Sequence, residues 1–192
     1  MIGEYFFKTE SRPQQALRAY KRSEEIPVSF VYPYAIYKQG WCYADMGEWE
    51  MALARFRTVI KYLKSGFVLS HDEKESLMQA LVKDYARIYA HVEPRYSKSG
   101  FGGAAKAYDN FSEVVSPRHA TQMMESLGEL YFDWDAHLNV LTLYNDLIKN
   151  SPESPSLIVY HANRMHAYNR LGERKGVLSE IEALSLALEG LV

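Results

Sequence analysis

Six histidines, one cysteine and a short run of carboxylates are the side chains of this chain best equipped for chemistry. His71, His91, His119, His137, His161 and His166 could ligate a metal or carry a proton, but only where the fold brings partners together. His161 and His166 are five apart, so a helix does not align them, and no His-Glu-x-x-His zinc motif occurs. Asp133-Trp134-Asp135-Ala136-His137 sets two carboxylates beside an imidazole, a metal-ligand or acid/base combination. It falls at a turn, where polar residues are expected for solvation alone. Gly100-Phe101-Gly102-Gly103 followed by Lys106 has the glycines of a phosphate-binding loop. It lacks the Gly-Lys-Ser/Thr ending, and no strand precedes it. Cys42 lies beside Tyr43 on a helix among packing residues and reads as a small buried filler, not a nucleophile. No nucleophile elbow offers context for a Ser-His-Asp triad. The expectation is a protein with no catalytic centre, no cofactor and no metal.

Composition bounds the alternatives. The chain has 192 residues, enough for one ordinary domain or one short solenoid. Hydrophobic residues make up 47%, so a real core can form. Formal net charge is -2, which argues against a nucleic-acid surface. One cysteine excludes an internal disulfide and a cysteine-rich metal site. No apolar stretch approaches the ~20 residues of a membrane span. Met1 to Phe7 lacks the regions of a signal peptide and reads as opening part-way into a helix; a fragment of a longer protein is expected, with any export signal outside it. The compartment stays open between cytoplasm and periplasm. Fifteen tyrosines suit helix seams and recognition surfaces alike.

The elements that would position these residues are helices in hairpins. Ile36, Gly40 and Tyr43 fall on one helix at three- and four-residue spacing. Gly47-Glu48-Trp49 follows as a turn, and a second helix carries Ala52 and Phe56. The grammar returns. Ala16/Tyr20, Ala52/Phe56, Ala104/Tyr108, Val140/Tyr144 and Val177/Ile181 are separated by 36, 52, 36 and 37 residues. Such self-similarity marks a helical-hairpin array, with the long interval carrying an insertion. Gly40 and Gly128 allow close backbone approach; Val140 and Val177 are larger than the alanines of the other pairs, so those hairpins should splay slightly. Gly47, Gly172 and the Ser99–Gly103 cluster supply turns, and Pro27, Pro152 and Pro155 separate units. Helix A of the third unit is expected near Ser76–His91, and the polar run His71–Glu75 before it reads as a solvated helix start with Ser70 or Asp72 capping.

These residues make the chain similar to the tetratricopeptide repeat (TPR) family, whose pattern is a large residue, Leu-Gly, Tyr, then Ala, Phe or Tyr, and a closing Pro. Met124, Leu127-Gly128, Tyr131, Tyr144, Leu147 and Pro152 follow it closely. Ile36, Gly40, Tyr43, Ala52, Phe56 and Val59 follow it nearly as well, while residues 156–190 lack the Leu-Gly pair. The resemblance implies an all-α solenoid of about five hairpins in a right-handed superhelix, with units about 1–30, 33–66, 76–115, 119–152 and 156–190. It implies a protein or peptide partner in a concave groove lined by inward residues of the A helices. Carried over by register, that groove holds Tyr34, Tyr37, Lys38 and Trp41, then Lys83 and Arg87, then Glu125 and Glu129, then Asn163, His166 and Arg170. The alternative for Tyr37 and Trp41 is packing against a neighbouring hairpin. Glu125 and Glu129 disfavour the TPR subfamily that grips acidic chaperone tails.

The expected role is a protein-interaction scaffold, loosely similar to TPR proteins of bacterial envelope, motility or secretion assemblies. The alternatives are a regulatory segment of a larger enzyme and a homo-oligomeric structural protein. The apolar end from Leu184 to Val192 suggests further protein or a homodimer covering it. The insertions near 66–70 and 92–99, with Tyr96, Lys98 and Phe101, offer a second contact edge.

Overall fold

The structure, a computed structural model, describes residues 2–25, 29–65, 69–92 and 103–189. The insertions around 66–68 and 93–102, with Tyr96, Lys98, Phe101 and most of the Ser99–Gly103 cluster, lie outside the described residues. So does Pro27. The described residues are helical with no strand among them, and they divide into two compact units, Met1–Phe101 and Gly102–Val192.

In the first unit, α1 (Ile2–Glu4) runs into a π-helical turn, Tyr5–Thr9. It is followed by α2 (Pro13–Arg22), α3 (Val31–Asp45), α4 (Trp49–Ser65) and α5 (His71–Ala90). Pro13 opens α2 where its missing N–H costs nothing. The α3–α4 hairpin closes on Gly40. A Cβ there would stand 2.3 Å from Cε1 of Phe56, so only glycine admits the ring. Phe56 is fully buried, worth about 1.5–3 kcal/mol of transfer free energy, beside Ile36, Ala52, Leu53, Val59 and Ile60. Between the two helices Gly47 takes φ +76°. Its N–H reaches the Ala44 carbonyl at 2.9 Å and that of Glu48 reaches Tyr43 at 2.9 Å, a Schellman closure.

α5 begins at His71, so the polar run His71–Glu75 is its first turn, and Ser70, one of the two expected caps, is its N-cap. Its first turn is polar and has no apolar period to announce it. What starts it is a capping box: the Ser70 hydroxyl accepts the Glu73 N–H at 3.3 Å, and Glu73 accepts the Ser70 N–H at 2.9 Å.

On the other side of α3, Ala35 and Cys42 join Ala16 and Tyr20 of α2 in a cluster closed by Phe6, Phe7 and Leu17. Cys42 is fully buried, and burial pushes its thiol up to about 12, as fits a filler. Gln39, four residues after Ala35 and three before Cys42, is also fully buried, and neither amide atom has a hydrogen-bond partner.

The second unit opens with a 3-10 turn, Ala104–Lys106, and the short α6 (Ala107–Val114). Then come α7 (Pro117–Asp133), α8 (His137–Asn150), α9 (Leu157–Arg170) and α10 (Arg174–Glu189). The α7–α8 hairpin repeats the close approach: a Cβ on Gly128 would lie 2.7 Å from the Tyr144 hydroxyl. Met124, Leu127, Val140 and Leu147 are fully buried around it. Its turn makes the same Schellman bonds through Asp135 at φ +54°, a position glycine fills in the turns at Gly47 and Gly172.

In the α9–α10 hairpin the small residue is Gly176, one position before the expected Val177. Its Cβ would meet Tyr168 at 2.4 Å. The positions that match Met124 and Leu127 carry His161 and Arg164. Both turn to Glu180, whose carboxylate lies 2.7 Å from His161 Nδ1 and 3.1 Å from Arg164 Nη2 with its side chain 4% exposed.

Candidate functional site

In the first unit α3 meets α5 through a polar lock. The Tyr37 hydroxyl donates to Oδ2 of Asp84, and Trp41 also hydrogen-bonds that carboxylate. Burial pushes Asp84 above its ordinary value, against the opposing pull of those bonds and of Arg87. Burial and the Asp84 bond push the Tyr37 hydroxyl up to about 12. Both rings also pack on Phe56, Tyr37 at 5.6 Å between centroids and Trp41 edge-on at 6.1 Å.

Tyr37 and Trp41 thus pack on Phe56 of their own hairpin, Tyr37 reaches Asp84 of the neighbouring α5, and both side chains are half-buried. Tyr34, Lys83 and Arg87 are exposed. Lys38 lies 3.5 Å from Glu4 and 5.7 Å from the centre of the Phe7 ring. His91, at the end of α5, stacks on Trp49 at 4.6 Å.

The A helices of the second unit carry a different surface. Glu125 of α7 accepts the Tyr160 hydroxyl of α9 at 2.5 Å, so it is partly committed to joining helices. Asn163 hydrogen-bonds the Tyr144 hydroxyl, which burial pushes up to about 12. Glu129 is exposed. His166 lies on the Phe132 ring at 4.8 Å and meets His137 edge-on at 6.4 Å. Arg170 reaches Asp135 at 3.7 Å.

Of the two carboxylates in the Asp133–His137 run, Asp135 lies 3.6 Å from His137 Nε2 and 3.7 Å from Arg170. His161 is tied to Glu180, so it and His166 do not converge. No group of three or more His, Cys, Asp or Glu side chains suited to a metal occurs among the described residues.

Two features escaped sequence reasoning. The His161–Glu180–Arg164 trio had one signal, the absence of a Leu-Gly pair in residues 156–190: charge stands at core positions and needs an opposing charge. The second is a cavity of about 470 Å³ between the N-terminal helices and α3, which Tyr34 and Lys38 help to line.

Antiparallel helix pairs closed by the same glycine-on-ring contact define an all-α helical-repeat protein. A family model described as tetratricopeptide repeat matches residues 34–62, within the α3–α4 hairpin, which is similar to that repeat. Repeats of this kind are protein-interaction modules and are typically non-catalytic. No curated protein matches the chain. No helix among the described residues is long and apolar enough to cross a membrane.

Proposed function

We propose that the protein is a non-catalytic scaffold that captures a peptide or partner helix on the inward faces of its A helices. In the first unit the capturing residues are Tyr34, Tyr37, Lys38, Trp41, Lys83 and Arg87. In the second they are Glu125, Glu129, Asn163, His166 and Arg170. The observation that carries this reading is the lock between Tyr37, Trp41 and Asp84. It holds two large rings rigid at the surface and leaves exposed cations on the next turns of α5. Rigid aromatic and basic side chains are the usual anchors of protein interfaces. The natural setting we propose, an assembly of the bacterial envelope, rests on family resemblance alone.

The test is affinity capture from the native cell with Lys83→Glu and Arg87→Glu combined. Both side chains are exposed, so the helical circular dichroism should be unchanged, while recovery of the wild-type partner should fall by about tenfold or more. Undiminished recovery would refute capture on α5.

A second reading has its own observation. Leu178, Ile181 and Leu186 are 60%, 47% and 69% exposed on α10, an apolar stripe that a second copy of the chain would cover. Concentration-dependent mass in light scattering, abolished by Leu178→Glu with Ile181→Glu, would support it.

A further inference from the structure

The cavity beside α3 has the character of a binding pocket. Its volume, about 470 Å³, lies inside the range typical of ligand sites. Its walls are mainly apolar: Ile2, Ala19, Tyr20, Val31, Tyr34 and Ala35. The floor is rigid. Gly3 approaches Tyr20 so closely that a Cβ would fall 2.6 Å from the ring, and Tyr20 donates its hydroxyl to Glu4 at 2.7 Å.

The apolar surface does not stop at the cavity mouth. Ile2 is 69% exposed and Tyr34 37% exposed, although both line the cavity. Phe30, one helical turn before Tyr34, is 64% exposed. A free small molecule would leave this collar bare; a ligand that continues past the cavity would cover it.

Charge narrows the ligand further. Three charged residues line the cavity: Glu4, Arg22 and Lys38. Glu4 is fully engaged, with Tyr20 at 2.7 Å, Lys8 at 3.0 Å and Lys38 at 3.5 Å. Lys38 spends one of its three donors there. Arg22 is exposed and makes no ion pair among the described residues. Arg18 and Lys21 accompany it on α2, which holds no acidic residue. Of the acids that follow α2, Glu24 is held by Arg55 at 3.0 Å, and Glu25 is exposed and does not line the cavity. The rim is therefore a cationic edge around an apolar hole.

We infer that this cavity anchors a large apolar side chain of the captured peptide, with an acidic residue beside it paired to Arg22 and Lys38. The assignment rests on the capture reading and gives it a chemistry: the partner segment is aromatic or aliphatic with flanking carboxylates. Burial of one such side chain supplies most of the affinity, and the exposed ion pairs chiefly set polarity and register.

The experiment uses the full chain labelled with nitrogen-15. The probes are a capped Asp-Trp-Asp tripeptide, its Lys-Trp-Lys counterpart, indole-3-acetate and tryptamine. The acidic tripeptide should shift the amides of Ala19, Val31 and Ala35 saturably, and the basic one should bind about two- to fivefold more weakly, the reach of exposed ion pairs. Ala19→Trp fills the cavity and should abolish the shifts. Arg22→Glu, at an exposed position that leaves the fold intact, should erase the preference for acid.

Absence of shifts at these amides, or persistence of binding in Ala19→Trp with the fold intact, would overturn the anchor. Binding of indole-3-acetate without the acidic tripeptide would also overturn it, assigning the cavity to a free small acid. Capture itself is judged separately through Lys83 and Arg87, which do not line the cavity. Loss of partner in that variant with silent probes would sink the anchor alone; tight probe binding with undiminished capture would sink the capture face alone.

Discussion

Replacing Gln39 with leucine should make the protein more stable. Gln39 is fully buried on α3 with both amide atoms unpartnered. Leaving a buried polar group unsatisfied costs about 1–3 kcal/mol, and leucine has nearly the same volume without that cost. Leucine stands at the equivalent place of the α7–α8 hairpin: Leu127 lies three residues after Met124 and one before Gly128, and is fully buried. With a shift of roughly 2–4 °C per kcal/mol for a chain of this size, Gln39→Leu should raise the melting midpoint by roughly 2–12 °C. Thermal circular dichroism reads the change. If the two compact units melt separately, calorimetry should place the shift in the transition of the first. Gln39→Glu should do the opposite, because a buried carboxylate without a partner is costlier still. An unchanged or lowered midpoint in Gln39→Leu would refute the reasoning, since it would mean that the amide makes bonds worth more than its desolvation.

Three further outcomes are expected. Gly40→Ala drives a Cβ into the Phe56 ring, so overpacking of about 1–3 kcal/mol should exceed the ~1 kcal/mol gained in helix propensity; urea titration should show the deficit shrinking when Phe56→Leu is added. Glu180→Ala strands His161 and Arg164 and should cost about 3–5 kcal/mol, whereas His161→Met, Arg164→Leu and Glu180→Leu together should restore stability to wild type or above. Acid should act oppositely on the two ends of the first unit. Burial raises the Glu4 carboxyl, but the bonds from Tyr20 and Lys8 and the nearby lysine charges outweigh it, so its value lies below the ordinary 4.5; its contribution is present above that value and lost as pH falls through its folded value, which hydrogen exchange at α1 and α2 should register. Asp84 lies above its ordinary 3.8, so its contribution is present below that value and lost as pH rises through the folded one, and the α3–α5 contact should tighten on mild acidification.

Much of the fold was legible because helix geometry fixes the spacing of contacts. Ile36, Gly40 and Tyr43 announce a helix that accepts a partner closely, and Ala52 and Phe56 announce that partner. The repetition of this grammar at Gly128 and Tyr144 made an array of hairpins the natural reading. The hairpin turns were legible at Gly47 and Gly172, where a left-handed residue is written openly as glycine. At Asp135 the same turn is written in a residue with many other uses.

What escaped has physical reasons too. At the start of α5 the Ser70 cap was legible, but its reciprocal bond with Glu73 carries no hydrophobic period to announce it. Gly176 and Val177 are adjacent small residues, and which of them faces Tyr168 depends on helix rotation. The trio around Glu180 is invisible to a search for apolar repeats, because charge replaces packing at that point. Tyr37 and Trp41 were placed on an inward face of α3, but their bonds to Asp84 depend on how α5 meets α3. The cavity at Tyr34 and Lys38 depends on the path of α1 and its π-helical turn, for which no residue pattern gives notice.

Hydrogen exchange of the chain with its captured partner tests the capture of a segment on the A helices most directly. Slowed exchange should concentrate in α3 over 34–41 and in α5 over 83–87, and α4 should be little changed. Protection confined to α10, with α3 and α5 exchanging as in the free chain, would contradict the account and favour the apolar stripe as the interface.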